Sequence, residues 1–395
     1  MDLKQLKALS VLGWNFGLHL LRAAVPRRQE DQAEKFRSYF RPDRITSFTP
    51  EEHRAILEFE SCTLCGICSS HCRVMATSAG KFLGPEHLAA SASRSQPEFA
   101  SDAPSLYLCA VCGQCEPDCP EQVPVARMAM HMRSMIRRVA PAVMPQPIQA
   151  AAHNLAQHGN IYGQAPALAL PRRPDAEFTL FLGCRERMAP ERVQQRLKLL
   201  ERLAIRVTGV DESCCGGVPE TLGLDPPPAV SEKILAAGPK KVLTVCPHCT
   251  EALRRNPALK DKVEVSHLAE ILAERIPSGT KARDIPTPVA FHDPCHLARG
   301  CGLIQEPREV LRRLGVELKE MAESGDRAPC CGAGAGLALK DPALGKEVAR
   351  SRLADARAAD AKTLITACAG CRDLLGSARQ DSDPAVMMLE DILAD

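Results

Sequence analysis

The placement of cysteines constrains this chain more than any other feature. Two runs share the spacing C-x2-C-x2-C-x3-C: CTLCGICSSHC supplies Cys62, Cys65, Cys68 and Cys72, and CAVCGQCEPDC supplies Cys109, Cys112, Cys115 and Cys119. Three thiolates at such intervals converge from one tight loop, and the fourth serves a second centre. Eight sulfurs so arranged point to two metal centres with crossed ligation. The chain has 19 cysteines in 395 residues. An odd number on so long a chain argues against a secreted disulfide scaffold and for a reducing compartment.

The spacing is that of two-cluster bacterial ferredoxins, and Pro120 completes the second run. The expected assignment is one 4Fe–4S cluster on Cys62, Cys65, Cys68 and Cys119, and another on Cys109, Cys112, Cys115 and Cys72. Structural zinc is the alternative, although zinc sites do not usually repeat this pattern. Two departures stand out: Arg73 replaces the proline expected after Cys72, and 36 residues separate the runs. With the continuation VPVARMAMHMRSMIRR, the region resembles the helical ferredoxin module of succinate dehydrogenase-type iron–sulfur subunits.

Ten more cysteines form two matching sets: Cys184, Cys214, Cys215, Cys246 and Cys249, then Cys295, Cys330, Cys331, Cys368 and Cys371. Each is a single cysteine, a Cys-Cys-Gly and a C-x2-C. The flanks repeat too, with FTLFLGC against PVAFHDPC, KKVLTVCPHCTEAL against AKTLITACAGCRDLL, and HLAEILAE against MLEDILAD. Short apolar runs lead into the cysteines and helical segments such as RVQQRLKLLERL separate them, which predicts parallel α/β units. Ligands gather at strand carboxyl ends in that class, where these cysteines fall.

FHDPCHLARG, TVCPHCTEALRR and CCGAGAGL resemble the CCG cysteine-rich domain of heterodisulfide reductases, here duplicated. With the ferredoxin module in front, residues 56–395 resemble the D-type iron–sulfur subunits of heterodisulfide reductase. Wider relatives are the iron–sulfur subunits of anaerobic glycerol-3-phosphate dehydrogenase, glycolate oxidase and lactate-utilisation systems. The resemblance implies up to two further iron–sulfur clusters, one per five-cysteine set, of non-cubane form, the pair making a disulfide-reducing catalytic site. A fifth thiolate allows one cysteine to bridge irons or open an edge. The glycine after each pair lets the backbone approach inorganic sulfur without a Cβ in the way. An ordinary four-cysteine cluster with a spare thiol, or zinc at the CPHC, remain the alternatives. Cys301, the nineteenth cysteine, reads as a neighbour rather than a ligand. His248, His292, Asp293 and His296 flank the sets, as proton relays or as caps and hydrogen-bond partners.

The expected fold is α/β: a helical lead-in over 1–55, a helical two-cluster ferredoxin-like domain over 56–137, a Pro- and Ala-rich linker over 138–175, and CCG domains over 176–280 and 281–395. Lys and Arg number 50 against 48 Asp and Glu, and aromatics make up 4%, so nothing favours nucleic acid. CCGAGAG is no dinucleotide loop, because position 337 is leucine; no flavin or nicotinamide site and no C-x2-C-H for haem is visible. Without a hydride acceptor, the chain should work as an electron-transfer subunit of a multi-subunit oxidoreductase of anaerobic respiration. Its partners would be flavoprotein, quinone-linked or hydrogenase-type redox subunits. The alternative is a catalytic component that reduces a small-molecule or protein disulfide at the CCG clusters. A cytoplasmic location is expected. Residues 8–21 are too short for a span. Leu3, Leu6, Leu9, Leu12, Phe16 and Leu20 lie near helical spacing among Lys4, Lys7 and Arg22, and residues 1–44 carry a net charge of +4. Such a helix suits peripheral association with the inner face of the membrane, or a partner subunit.

Overall fold

The computed structural model describes residues 3–24, 32–39, 49–94, 98–164, 168, 170–210, 214–227 and 230–393. The chain forms two units, Met1–Phe48 and Thr49–Asp395. The first contains helices Leu3–Ala24 and Gln32–Tyr39. On the longer helix Leu6, Leu9, Leu12, Trp14, Phe16 and Leu20 are exposed. Among the described residues no helix is long and apolar enough to cross a membrane.

The second unit begins with a helical segment. Helix Pro50–Phe59 starts at a capping box: Thr49 Oγ1 accepts from the Glu52 N–H, and Glu52 Oε2 accepts from the Thr49 N–H. Short helices Ile67–His71 and Arg73–Thr77 follow the first cysteine run. Helix Val125–Val139 follows the second and buries Val125, Met128, Ala129, Met132, Met135 and Ile136 along one stripe. Arg133 shares that stripe and is fully buried. The Pro- and Ala-rich stretch holds a 3-10 turn at Pro141–Val143 and a helix at Gln146–His158, closed by left-handed Gly159.

Two parallel sheets follow. The first comprises β1 (Phe178–Phe181), β2 (Val207–Gly209), β3 (Lys241–Thr244) and β4 (Glu264–His267), in the order β2-β1-β3-β4. The second comprises β5 (Val289–His292), β6 (Thr363–Thr366) and β7 (Ala385–Met388), in the order β5-β6-β7. An isolated parallel bridge from Val289 to Leu318 stands where β2 stands in the first sheet. The register repeats as well: Phe178 and Phe181 oppose Lys241 and Thr244, and Val289 and His292 oppose Thr363 and Thr366. The duplication in the sequence is therefore a duplication of topology.

β1, β5 and β6 are buried along their whole length, as parallel strands covered on both faces must be. One apolar core joins the halves, with Leu180, Leu243 and Leu272 packing in the same cluster as Phe291, Leu311 and Ile365. Because all strands run the same way, their carboxyl ends share one edge of each sheet. Cys184 follows β1, Cys214 and Cys215 follow β2, and Cys246 follows β3. Cys295 and Cys368 follow β5 and β6 in the same manner.

Candidate functional site

The two cysteine runs sit on loops of one conformation. Leu64 and Val111, each just before the second cysteine of its run, have φ of 57° and 50°; Gly66 and Gly113, just after it, have φ of 80° and 70°. A left-handed branched residue such as Val111 is strained and persists only where its surroundings impose it. One cavity is lined by Cys62, Cys65, Cys68 and Cys119. Another is lined by Cys72, Cys109, Cys112 and Cys115, together with Cys330. Each gathers three cysteines of one run and the fourth of the other. Backbone N–H groups of Met75, Val111 and Val123 donate to the sulfurs of Cys72, Cys109 and Cys119 at 3.5, 3.4 and 3.4 Å.

Burial pushes the Cys72 thiol up to about 12, against the pull of the Met75 N–H. Burial likewise raises Cys109 and Cys115. Cys112 stands well above its ordinary value, first through its hydrogen bond with Cys330 and then through burial. Thiols so buried ionise against a bound cation. Arg133 and Lys340 bring positive charge to Cys109. Lys340 Nζ is buried with no hydrogen-bond partner. Four thiolates beside the buried Arg133 guanidinium and an amine with no hydrogen-bond partner fit an anionic iron–sulfur cluster.

All five cysteines of the first CCG set converge. Side-chain hydrogen bonds link Cys184 to Cys214, Cys214 to Cys215, Cys215 to Cys249 and Cys249 to Cys246. Bonds from Cys184 and Cys215 lower the Cys214 thiol to about 4. Gly216 and Gly217 N–H groups donate to Cys214 and Cys215, both at 3.4 Å. The second set is built alike. Cys331 and Cys371 sulfurs lie 3.1 Å apart, Cys330 bonds to Cys331 and Cys371 to Cys368, and Gly332 N–H donates to Cys330 at 3.2 Å. Cys295 feels the charges of Cys112, Cys331 and Cys368. The glycine after each pair also answers a backbone demand. Gly216 and Gly332 have φ of 87° and 90°, and a Cβ there would lie 2.6 Å from Pro226 Cβ and 2.3 Å from the Gly345 oxygen.

The flanking residues have distinct settings. His248 and His296 stack with centroids 3.7 Å apart, and His296 Nδ1 meets Glu251 Oε2 at 2.5 Å. Burial, then His296, holds His248 well below its ordinary pKa. Asp293 is clamped by Arg308 at 2.8 and 3.0 Å and accepts the Gly325 N–H, a structural role. Burial and Arg352 lower His292 to about 3. Cys301 Sγ lies 3.9 Å from the Pro247 oxygen, outside both sets.

Residues 178–254 and 289–375 match the CCG cysteine-rich domain, and residues 58–123 match the 4Fe-4S dicluster domain. The chain carries one 4Fe–4S dicluster domain and two CCG domains. It is 29% identical to the D-type subunit of the dihydromethanophenazine:CoB–CoM heterodisulfide reductase of Methanosarcina mazei, over 86% of this chain and 93% of that protein. It is 27% identical to the B-type subunit of the fumarate reductase (CoM/CoB) of Methanothermobacter marburgensis, over 83% and 70%. To the EtfAB:quinone oxidoreductase of Syntrophomonas wolfei it is 25% identical, over 81% and 55%. This is thus an iron–sulfur protein similar to the D-type subunits of heterodisulfide reductase and to electron-transfer oxidoreductase subunits.

Sequence reasoning missed three features of this dicluster CCG protein. Cys112 and Cys330 line one cavity, although they belong to different domains. Arg133 binds the carbonyls of Thr221, Leu106 and Cys109 at 2.6, 2.9 and 2.6 Å. A cavity of about 840 Å³ has Tyr162, Arg185, Arg192, Arg372 and Asp373 in its wall. Only the last left a signal in the sequence: Arg185 and Arg372 each directly follow a set cysteine.

Proposed function

We propose that the chain is the electron-transfer subunit of a multi-subunit oxidoreductase, moving electrons between its ferredoxin-type clusters and the CCG sites. Cys62, Cys65, Cys68 and Cys119 hold one 4Fe–4S cluster; Cys109, Cys112, Cys115 and Cys72 hold the other. Each five-cysteine set holds a further cluster. Bound there, such clusters store and pass single electrons at potentials set by ligands, hydrogen bonds and burial. The observation that carries this reading is that the CCG cysteine Cys330 lines the same cavity as the ferredoxin-type cysteines Cys72, Cys109, Cys112 and Cys115. The Gly216, Gly217 and Gly332 amides stabilise thiolate charge at the two sets.

The test is an anaerobic iron and sulfide count with low-temperature EPR. About sixteen irons are expected if every site is tetranuclear. About eight irons, with zinc at the CCG sets, would refute the reading.

One observation favours a second reading, catalytic reduction of a disulfide at the CCG sites. The 840 Å³ cavity is large enough for a small molecule, and its wall includes Arg185, the residue directly after Cys184. The net reaction converts one disulfide, two electrons and two protons into two thiols. With reduced viologen as donor, disulfide turnover would establish it. Transfer to quinone or partner subunits without turnover would exclude it.

Other redox subunits are the proposed partners, since relatives carry subunit names. The helix Leu3–Ala24, with Trp14, Phe16 and Leu20 exposed, is proposed to lie on the inner face of the membrane.

A further inference from the structure

One of the differences between the two CCG sites lies at a buried strand end. Counting back three residues from the first cysteine of each set, the first half has Phe181 and the second His292. Both side chains are buried at the last residue of the first strand of each half, β1 and β5, so the repeat changes chemistry without changing place.

His292 Nδ1 accepts a hydrogen bond from Arg352 Nε at 3.2 Å. A guanidinium has only donors, so Nδ1 carries the lone pair and the ring proton sits on Nε2. His292 Nε2 is buried and has no partner. A His292 ring nitrogen and the sulfurs of Cys331 and Cys371 all lie within 4.8 Å of one another. With Nδ1 engaged by Arg352, the unpartnered Nε2–H is the group left to face those sulfurs.

The residue that sets this tautomer is itself anchored. Arg352 is fully buried and pairs with Asp355 at 3.1 Å. The other Asp355 oxygen pairs at 3.2 Å with Arg73, which also bonds Ser351 and Glu323. Arg73 is the residue standing where a ferredoxin run has proline, directly after Cys72. It thus ties the ferredoxin-type loop to the helix that orients His292.

We propose that His292 Nε2–H donates a hydrogen bond to the sulfur shell of the second CCG cluster and raises that cluster's reduction potential above the first. Hydrogen bonds to cluster sulfurs favour the reduced, more negative state. Phe181 offers the first site nothing comparable. His292 is a positioning and tuning residue; it is not a ligand. The inference rests on the reading that each CCG set holds a cluster.

The experiment is a potentiometric titration of the anaerobic, iron-loaded full chain, followed by low-temperature EPR. His292→Phe copies the first half. We expect its second-site reduction equilibrium to fall at least tenfold, which is 59 mV for one electron. The other midpoints and the iron content should stay put. His292→Gln, which keeps an N–H donor, should recover most of the shift. An unchanged midpoint in fully loaded His292→Phe overturns the inference. If that variant loads poorly, pulsed EPR on the wild-type chain with 15N-labelled histidine decides: a histidine nitrogen coupled to the second-site cluster supports it, and none overturns it. Failure of the cluster reading itself would show separately, as about eight irons in the wild-type chain.

Discussion

Replacing Arg133 with methionine should destabilise the Thr49–Asp395 unit by about 2–4 kcal/mol. Arg133 is fully buried and donates to three carbonyls, those of Thr221, Leu106 and Cys109. The Leu106 oxygen keeps a second donor, the Cys109 N–H at 3.2 Å. The Thr221 and Cys109 oxygens lose theirs, at roughly 1–3 kcal/mol each. Removing a buried guanidinium returns part of this, because its own desolvation costs several kcal/mol. Methionine refills most of the apolar stem, so no large cavity adds to the loss. With an unfolding entropy of about 2.1 cal/mol/K per residue, a unit of this size melts about 3–6 °C lower. The assay is circular dichroism during anaerobic heating, at one scan rate, since a cluster protein unfolds irreversibly. Low-temperature EPR should show the cluster on Cys109 perturbed before the others, because the Cys109 carbonyl is one of the three acceptors. Arg133→Lys, with a point charge able to reach fewer carbonyls, should fall between. Melting within a degree of wild type for Arg133→Met would refute this account of how the ferredoxin-type loop is fixed.

Three further outcomes are expected. Burial would raise the Asp373 carboxyl, but hydrogen bonds from Arg192, Arg185 and Arg372 outweigh it and hold the group at about 2. A depressed folded value contributes stability above the ordinary carboxylate pKa and loses it as pH falls toward 2, so Asp373→Asn should flatten the acid limb of a melting-temperature profile between about pH 4 and 2. Cys301→Ser should leave iron content and every EPR signal unchanged, because Cys301 lies outside both sets; loss of one cluster would make it a ligand. Deleting residues 1–25 should preserve iron content while reducing sedimentation with anionic lipid vesicles, and equal sedimentation would exclude the helix as the membrane contact.

What the sequence made legible was what local chain geometry controls. C-x2-C-x2-C-x3-C marks a loop whose cysteines cannot avoid convergence, and the paired FTLFLGC and PVAFHDPC segments mark strands feeding a shared edge. Gln146–His158 had local signals too, with Pro147 at the first turn and Gly159 as the cap, inside a stretch whose proline content suggested a linker. Contacts set by packing between distant segments left no such trace. Nothing local says that Cys112 meets Cys330, or that Arg73 reaches Asp355. Arg73 was conspicuous only as a missing proline, and its reason lies some 280 residues away along the chain.

Duplication normally gives two copies one environment, yet these halves have diverged where it matters for electrons. The second site touches the ferredoxin-type ligand Cys112 and has a histidine against its sulfurs. The first has Phe181 in that place and borders, through Tyr162 and Arg185, a cavity of about 840 Å³. On the electron-transfer reading the second site is where electrons cross to and from the ferredoxin-type pair, and on the disulfide-reducing reading the first is where they would meet a molecule from outside. That division would give each five-cysteine set a task of its own. A wire needs one site in contact with the ferredoxin loop, and the first CCG site contributes only if something else reaches it. Exchanging the two residues, Phe181→His with His292→Phe, should invert the order of the two CCG potentials while leaving the Cys112–Cys330 contact in place. Electrons entering through the ferredoxin-type clusters would then pass readily from the second site to the first. If the order of potentials stays as in the wild type, the difference between the halves lies in some other group than this pair.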